Sequence, residues 1–163
     1  MEIKYQTVLN NNPTIKSKHS DYIHKLAPLT INEIVSLEAN YNSGNQFPAS
    51  LRELLFLAGQ DCYVLDYGLN DTQEEMQDDA RGWLVDYGFG SFTRPFFVID
   101  VHSGSDAFLF VYLDDEASDP MVYLYILDIN LDPDYSRIRA TGSNLSSLVN
   151  DRISYLQRGI SPF

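Results

Sequence analysis

Residues 96–127 read FFVIDVHSGSDAFLFVYLDDEASDPMVYLYIL. Three runs within this stretch, Phe96 to Val101, Ala107 to Leu113 and Met121 to Leu127, are rich in β-branched and aromatic residues, which fit a pleated, half-buried surface. Turn formers separate them: first His102-Ser103-Gly104-Ser105, then an acidic loop from Asp114 to Pro120. Links this short join antiparallel neighbours, so the stretch predicts an antiparallel meander. Tyr112, Tyr123 and Tyr125 belong to its strands, and core or cross-strand packing accounts for them better than a binding platform does.

Upstream, the periodicity changes to that of helices. Thr30-Ile31-Asn32-Glu33 is a capping box, which starts a helix with Ile31, Ile34, Val35, Leu37 and Tyr41 as its apolar stripe. Asn42-Ser43-Gly44-Asn45 suits the turn that ends it. A second helix follows in residues 45–59, NQFPASLRELLFLAG, with Pro48 expected at the first helical position and Gly59 as a left-handed cap. Leu51, Leu54, Leu55 and Ala58 recur at helical spacing, and Phe56 and Leu57 make this helix apolar around much of its girth. The pair reads as an αα-hairpin whose second member is buried. Cys62 to Leu65 reads as a short strand. Asp71 to Glu75 opens a further helix docked by Met76, Ala80, Trp83 and Leu84, and Tyr87-Gly88-Phe89-Gly90-Ser91 reads as a turn. Near the end, Ser143 or Asn144 caps a helix bearing Leu145, Leu148, Val149, Ile153 and Leu156 on one face, with Gly159 beyond it.

Residues 1–29 are polar and irregular, with Asn10-Asn11-Asn12-Pro13 as a loop marker and Tyr5, Val8, Leu9, Tyr22, Ile23 and Leu26 as anchors. They read either as a first strand or as an arm of the domain formed by residues 30–163. Helices come first, then strands, then a helix, with no alternating βαβ units. This order predicts an α+β domain with helices packed around a mostly antiparallel, or mixed, sheet.

At 163 residues the chain fits one domain able to bury roughly 70% of its unfolded surface. The single cysteine, Cys62, rules out an intramolecular disulfide and a cysteine-rich zinc site, and points to a reducing compartment. Its apolar surroundings, CYVL, mark a buried, inert thiol. No signal-peptide-like block or stretch of about 18 apolar residues occurs, so a soluble, cytoplasmic protein without membrane association is expected. The net charge of −12 is unevenly spread. From Asp66 to Asp134 there are 16 acids against Arg81 and Arg94, whereas the remainder carries 7 acids and 9 bases. Such a field repels nucleic acid and anionic lipid and attracts a basic partner.

No motif for catalysis or cofactor binding is complete. His19 and His24 are five residues apart in a polar arm and His102 sits in a turn, which does not fit a helical zinc pair. Gly88-Phe89-Gly90-Ser91-Phe92 and Ser103-Gly104-Ser105 lack the order of a nucleophile elbow, and Gly88 and Gly90 alone do not make a phosphate loop. Asp128, Asn130, Asp132 and Asp134 alternate like the start of a calcium loop, but Pro133 stands where glycine is needed and Arg139 where the closing glutamate belongs. Spacing singles out no carboxylate pair among the 23 acids. No catalytic residue, metal or cofactor is therefore assigned; an acid-pair hydrolase would need a cleft with perturbed carboxylates.

Taken in order, the helix ending Leu37-Glu38-Ala39-Asn40-Tyr41, the segment Phe47-Pro48-Ala49-Ser50-Leu51-Arg52-Glu53-Leu54-Leu55, the strand Asp106-Ala107-Phe108-Leu109-Phe110, the turn Asp119-Pro120-Met121-Val122-Tyr123 and the last helix resemble the SMI1/KNR4 family, or SUKH superfamily. The resemblance runs from about Thr30 to Gly159, with Phe47 in place of the usual leucine and Ala58-Gly59-Gln60 in place of an Asn-Gly-Gly-like exit. It implies an α+β fold and a binding role without shared catalytic residues. Bacterial relatives resemble immunity proteins that neutralise polymorphic or contact-delivered toxins, many of them nucleases; fungal relatives are regulators. On this basis Pro48, Leu51, Leu54, Leu55, Gly59 and Trp83 are expected to be structural. Glu74, Glu75, Asp78, Asp79, Asp114, Asp115, Glu116 and Asp119 are expected to meet a basic toxin domain or other protein partner, with nearby tyrosines as anchors. A regulatory or scaffold protein with an endogenous partner is the alternative. The oligomeric state is left open.

Overall fold

The computed structural model describes residues 1–89, 92–101, 107–132 and 134–162. Gly90 and Ser91 of the expected turn, the 102–105 turn with His102, Asp106 and Pro133 lie outside those residues. The elements in chain order are α1 (Thr7–Asn11), β1 (Thr14–Lys16), β2 (Ile23–Lys25), α2 (Ile31–Tyr41), α3 (Ala49–Ala58), α4 (Gln73–Asp86), β3 (Phe96–Asp100), β4 (Ala107–Tyr112), β5 (Met121–Ile126), β6 (Ile138–Asn144) and α5 (Leu145–Arg158). This is an α+β arrangement. The expected meander is present as β3-β4-β5, antiparallel throughout, and β6 extends it to four strands.

Period-two alternation divides the core between the two faces of this sheet. Phe97, Ile99, Leu109, Val111 and Val122 face one cluster, with Ile34 and Leu37 of α2, Leu51, Leu54, Leu55 and Ala58 of α3, and Leu145, Val149 and Ile153 of α5. Phe96, Val98, Phe108, Phe110, Tyr112 and Tyr125 face the other, with Met76, Ala80 and Leu84 of α4. Trp83 packs half-buried against this second cluster. Because helices cover both faces of β3 and β4, nearly every residue of these strands is buried.

The capping box at Thr30 is formed: Glu33 N donates to Thr30 Oγ1, and Thr30 N donates to Glu33 Oε2 at 2.7 Å. The apolar stripe of α2 is narrower than its sequence implies, since Ile31 and Val35 are exposed. The turn after it places Ser43 and Gly44 at positive φ. α3 has no exposed residue, and even its charged side chains are taken up. The buried Glu53 carboxylate accepts the backbone N–H groups of Lys4, Tyr5 and Gln6 at 2.7–2.9 Å. On α2, buried Glu38 accepts Phe47 N and lies 2.9 Å from Arg52 Nε, an ion pair not aligned as a hydrogen bond.

Two expectations about α3 are corrected. Pro48 stands one residue before the helix, with ψ 143°, so its extended backbone places it at the cap rather than in the first turn. Gly59 is right-handed, with φ −70°, so its role is not a left-handed cap. Space explains it instead: a Cβ there would lie 2.6 Å from Leu55 O and 2.7 Å from the Leu29 side chain. Gly59→Ala is therefore expected to cost about 1–3 kcal/mol through overpacking, measurable as a lower urea midpoint at constant slope.

Cys62 to Leu65 is not a strand; it forms turns, and only Asp61 bridges to Ala27. Residues 1–29 contain α1 and the β1-β2 hairpin, with Leu9 and Ile15 in the core; Tyr22 and Ile23, expected anchors, are exposed. Asn144 caps α5, and Gly159 ends it with φ +80°.

Candidate partner-binding surface

The sequence of α4 sets its two faces. Thr72 caps it by accepting Glu75 N at 3.1 Å, and Glu74 and Glu75 sit in the first turn, where the helix dipole favours negative charge. Gln73, Met76, Gln77, Ala80 and Leu84 are buried. Gln77 closes the outer edge of β3 as a neighbouring strand would: its Nε2 donates to Val98 O at 2.8 Å and its Oε1 accepts Val98 N at 2.9 Å.

Arg81, the one base among residues 71–86, is directed the same way. Its Nη1 donates to Gln77 O and its Nη2 to Phe96 O, both at 2.9 Å, while the guanidinium lies over the rings of Tyr41 and Phe96. Burial lowers its pKa. The opposite face carries Glu75, Asp78, Asp79 and Asp86, all exposed, with Glu74 half-buried and exposed Asp71 just ahead of the Thr72 cap. Tyr41 donates to Asp78 Oδ1 at 3.1 Å, and its hydroxyl is pushed up to about 12, first by burial and then by the Asp78 charge. α4 thus displays acids while its cation is committed to the sheet.

The 114–119 acids are placed differently. Arg94 grips Asp114 with two nitrogens, at 2.9 and 2.6 Å, and reaches Asp115 at 2.5 Å. These hydrogen bonds hold the Asp114 carboxyl below its ordinary range. Asp119 accepts Ser146 N and Ser146 Oγ at the start of α5, and Ser118 O accepts Ser50 N, so the loop is bolted to α5 and α3. Glu116 is exposed and has no partner among the described residues. Asp115 and Glu116 form one wall of a cleft of about 510 Å³ shared with Tyr5, Pro48 and Arg52. No hydrogen bond or ion pair among the described residues joins this loop to the acids of α4.

Cys62 is buried, and burial pushes its thiol up to about 12. The native thiol is therefore expected to resist iodoacetamide at pH 8 and to react fully in denaturant; labelling in the folded protein at the rate of a free thiol would contradict this placement. Among the described residues no three His, Cys, Asp or Glu side chains gather to hold a metal ion. No described helix is long and apolar enough to cross a membrane. Sequence reading missed Phe89 and Phe92, which pack half-buried on the second core cluster; two phenylalanines in a sequence stretch rich in glycine and serine were the available signal. No family model, curated protein or solved structure matches the chain.

Proposed function

We propose that this protein is a non-enzymatic, cytoplasmic binding protein that takes a basic protein domain against α4. In the fullest form of this reading it is an immunity protein neutralising a polymorphic or contact-delivered toxin. The observation that carries the reading is the division of α4, with acids outward and Arg81 turned into the sheet. A nuclease that grips phosphates offers a basic face for such a surface, and charge complementarity of this kind speeds association and selects partners. Glu116 adds an unpaired acid on the 114–119 loop, whereas Asp114, Asp115 and Asp119 contribute through a surface already fixed by Arg94 and Ser146.

The test is co-expression of the tagged chain with the products of neighbouring genes, capture at low salt, and elution along a salt ramp. A stoichiometric basic partner is expected, together with protection of cells from that partner's toxicity. An empty bait across these candidates would overturn the immunity role. A bound partner without protection would shift the role to regulation.

A further inference from the structure

We infer that a pocket of about 100 Å³ at the start of α4 receives the side chain of one lysine from the basic partner. This rests on the binding role proposed above and adds which cation of the partner is held, and where. Three helices build the pocket, with Glu33 and Leu37 of α2, Gly59 at the end of α3, and Asp71, Gln73 and Glu74 at the start of α4. Local sequence puts its acids there: the capping box sets Glu33 in the first turn of α2, and the Thr72 cap sets Glu74 in the first turn of α4.

Two observations point to an ammonium. Gln73 is only 4% exposed and its Nε2 donates to Gly59 O at 2.8 Å, yet its buried Oε1 has no hydrogen-bond partner among the described residues. The Gly59 bond fixes which amide atom is left over, and it is the acceptor. A buried acceptor left unpaired is costly, and an incoming donor removes that cost. The second observation is that every charged residue in the lining is an acid: Glu33, Asp71 and Glu74. The side chains of Asp71 and Glu74 make no hydrogen bond or ion pair among the described residues. Glu33 spends one oxygen on Thr30, and those bonds hold its carboxyl below the ordinary range, so it stays charged.

The starts of α2 and α4 each bring about half a positive charge to this place, and the end of α3 about half a negative one, so three carboxylates leave the pocket strongly negative. That excludes an anion. The volume is that of about three water molecules and falls below the roughly 300 Å³ of pockets for drug-sized ligands, so the occupant is a single side chain. Leu29 and Leu37 in the lining suit its methylene stem. Lysine fits better than arginine, because three donors on a compact tip can reach separate acceptors on different helices, whereas a planar fork favours one carboxylate taken by two nitrogens.

n-Butylammonium serves as the probe because it reproduces the stem and tip of lysine without a partner. In a backbone-amide NMR titration of the full chain at constant ionic strength, it is expected to give saturable shifts centred on Glu33, Gly59 and residues 71–74. It should bind at least about tenfold more tightly than 1-butanol and about threefold more tightly than n-propylguanidinium. Gln73→Met removes the acceptor at similar length, and Asp71→Asn/Glu74→Gln removes charge while keeping shape; each is expected to weaken butylammonium at least about fivefold. Asp79→Asn/Asp86→Asn removes the same charge from α4 outside the lining and should change binding less than about twofold. Shifts that are absent or scattered, equal binding of butanol or of the guanidinium, or an equal loss in the Asp79/Asp86 variant would overturn the inference. A captured basic partner that binds both pocket variants as tightly as the native chain would also overturn it, with the binding role left standing. Butylammonium binding in a chain that captures no basic protein would overturn the binding role and, with it, the partner's lysine.

Discussion

Asp100→Ala is expected to lower unfolding free energy by about 3–5 kcal/mol, the range for removing one member of a buried ion pair. Asp100 is 1% exposed at the end of β3, where the pairing with β4 slips between Val98 and Asp100. Its carboxylate meets Arg152 of α5, whose Nη1 also donates to Val64 O at 2.9 Å. One side-chain pair thereby ties the sheet, the 62–65 turns and the last helix. Removing the carboxylate takes a close counter-charge from a guanidinium that lies largely out of water. Replacing both partners, as in Asp100→Leu with Arg152→Met, is expected to recover much of the loss, because removing one member of a buried pair costs more than replacing both. Urea unfolding of the three variants measures this; a loss below about 1 kcal/mol for Asp100→Ala would show that water reaches the pair.

Leu54→Ala should cost about 3 kcal/mol and lower Tm by about 10 °C. Leu54 is 1% exposed on the helix that has no exposed side, among Leu51, Leu55, Ile34 and Phe97. The lost transfer energy is joined by a cavity that surrounding helices cannot close, because α3 is pinned by Glu53, Arg52 and the Ser50–Ser118 bond. The residue lies away from the acids of α4, so binding of a partner by the folded fraction should be unchanged. A variant as stable as the parent would contradict the role of residues 45–59 as the pillar under the sheet.

What was legible in the sequence follows from which forces act locally. The meander, the Thr30 box and α5 are visible because alternation, caps and helical spacing are properties of neighbouring residues. β6 was missed: Ile138-Arg-Ala-Thr-Gly-Ser-Asn is an exposed edge strand containing a glycine, and pairing with β5 supplies its order. The β1-β2 hairpin was missed for a similar reason, being three residues on each side with Ile15 as its one buried residue. Gly59 shows the reverse case, in which a residue was noticed for backbone freedom but is needed for its missing Cβ. For the candidate surface, sequence located the acids but not their partners. That Arg81 turns inward, that Arg94 takes Asp114 and Asp115, and that Asp119 binds Ser146 at the start of α5 are tertiary facts, and they distinguish acids that are displayed from acids that are spent.

The proposed function requires that the displayed acids on α4 draw in a basic partner. The direct measurement is the association rate of the captured partner with the native chain and with Glu75→Lys/Asp78→Lys/Asp79→Lys, each at low and at physiological salt. Native association is expected to be at least about tenfold faster at low salt than the variant's and to slow as salt rises, whereas the variant should show little salt dependence. Equal rates and equal salt slopes for the two proteins would contradict the account.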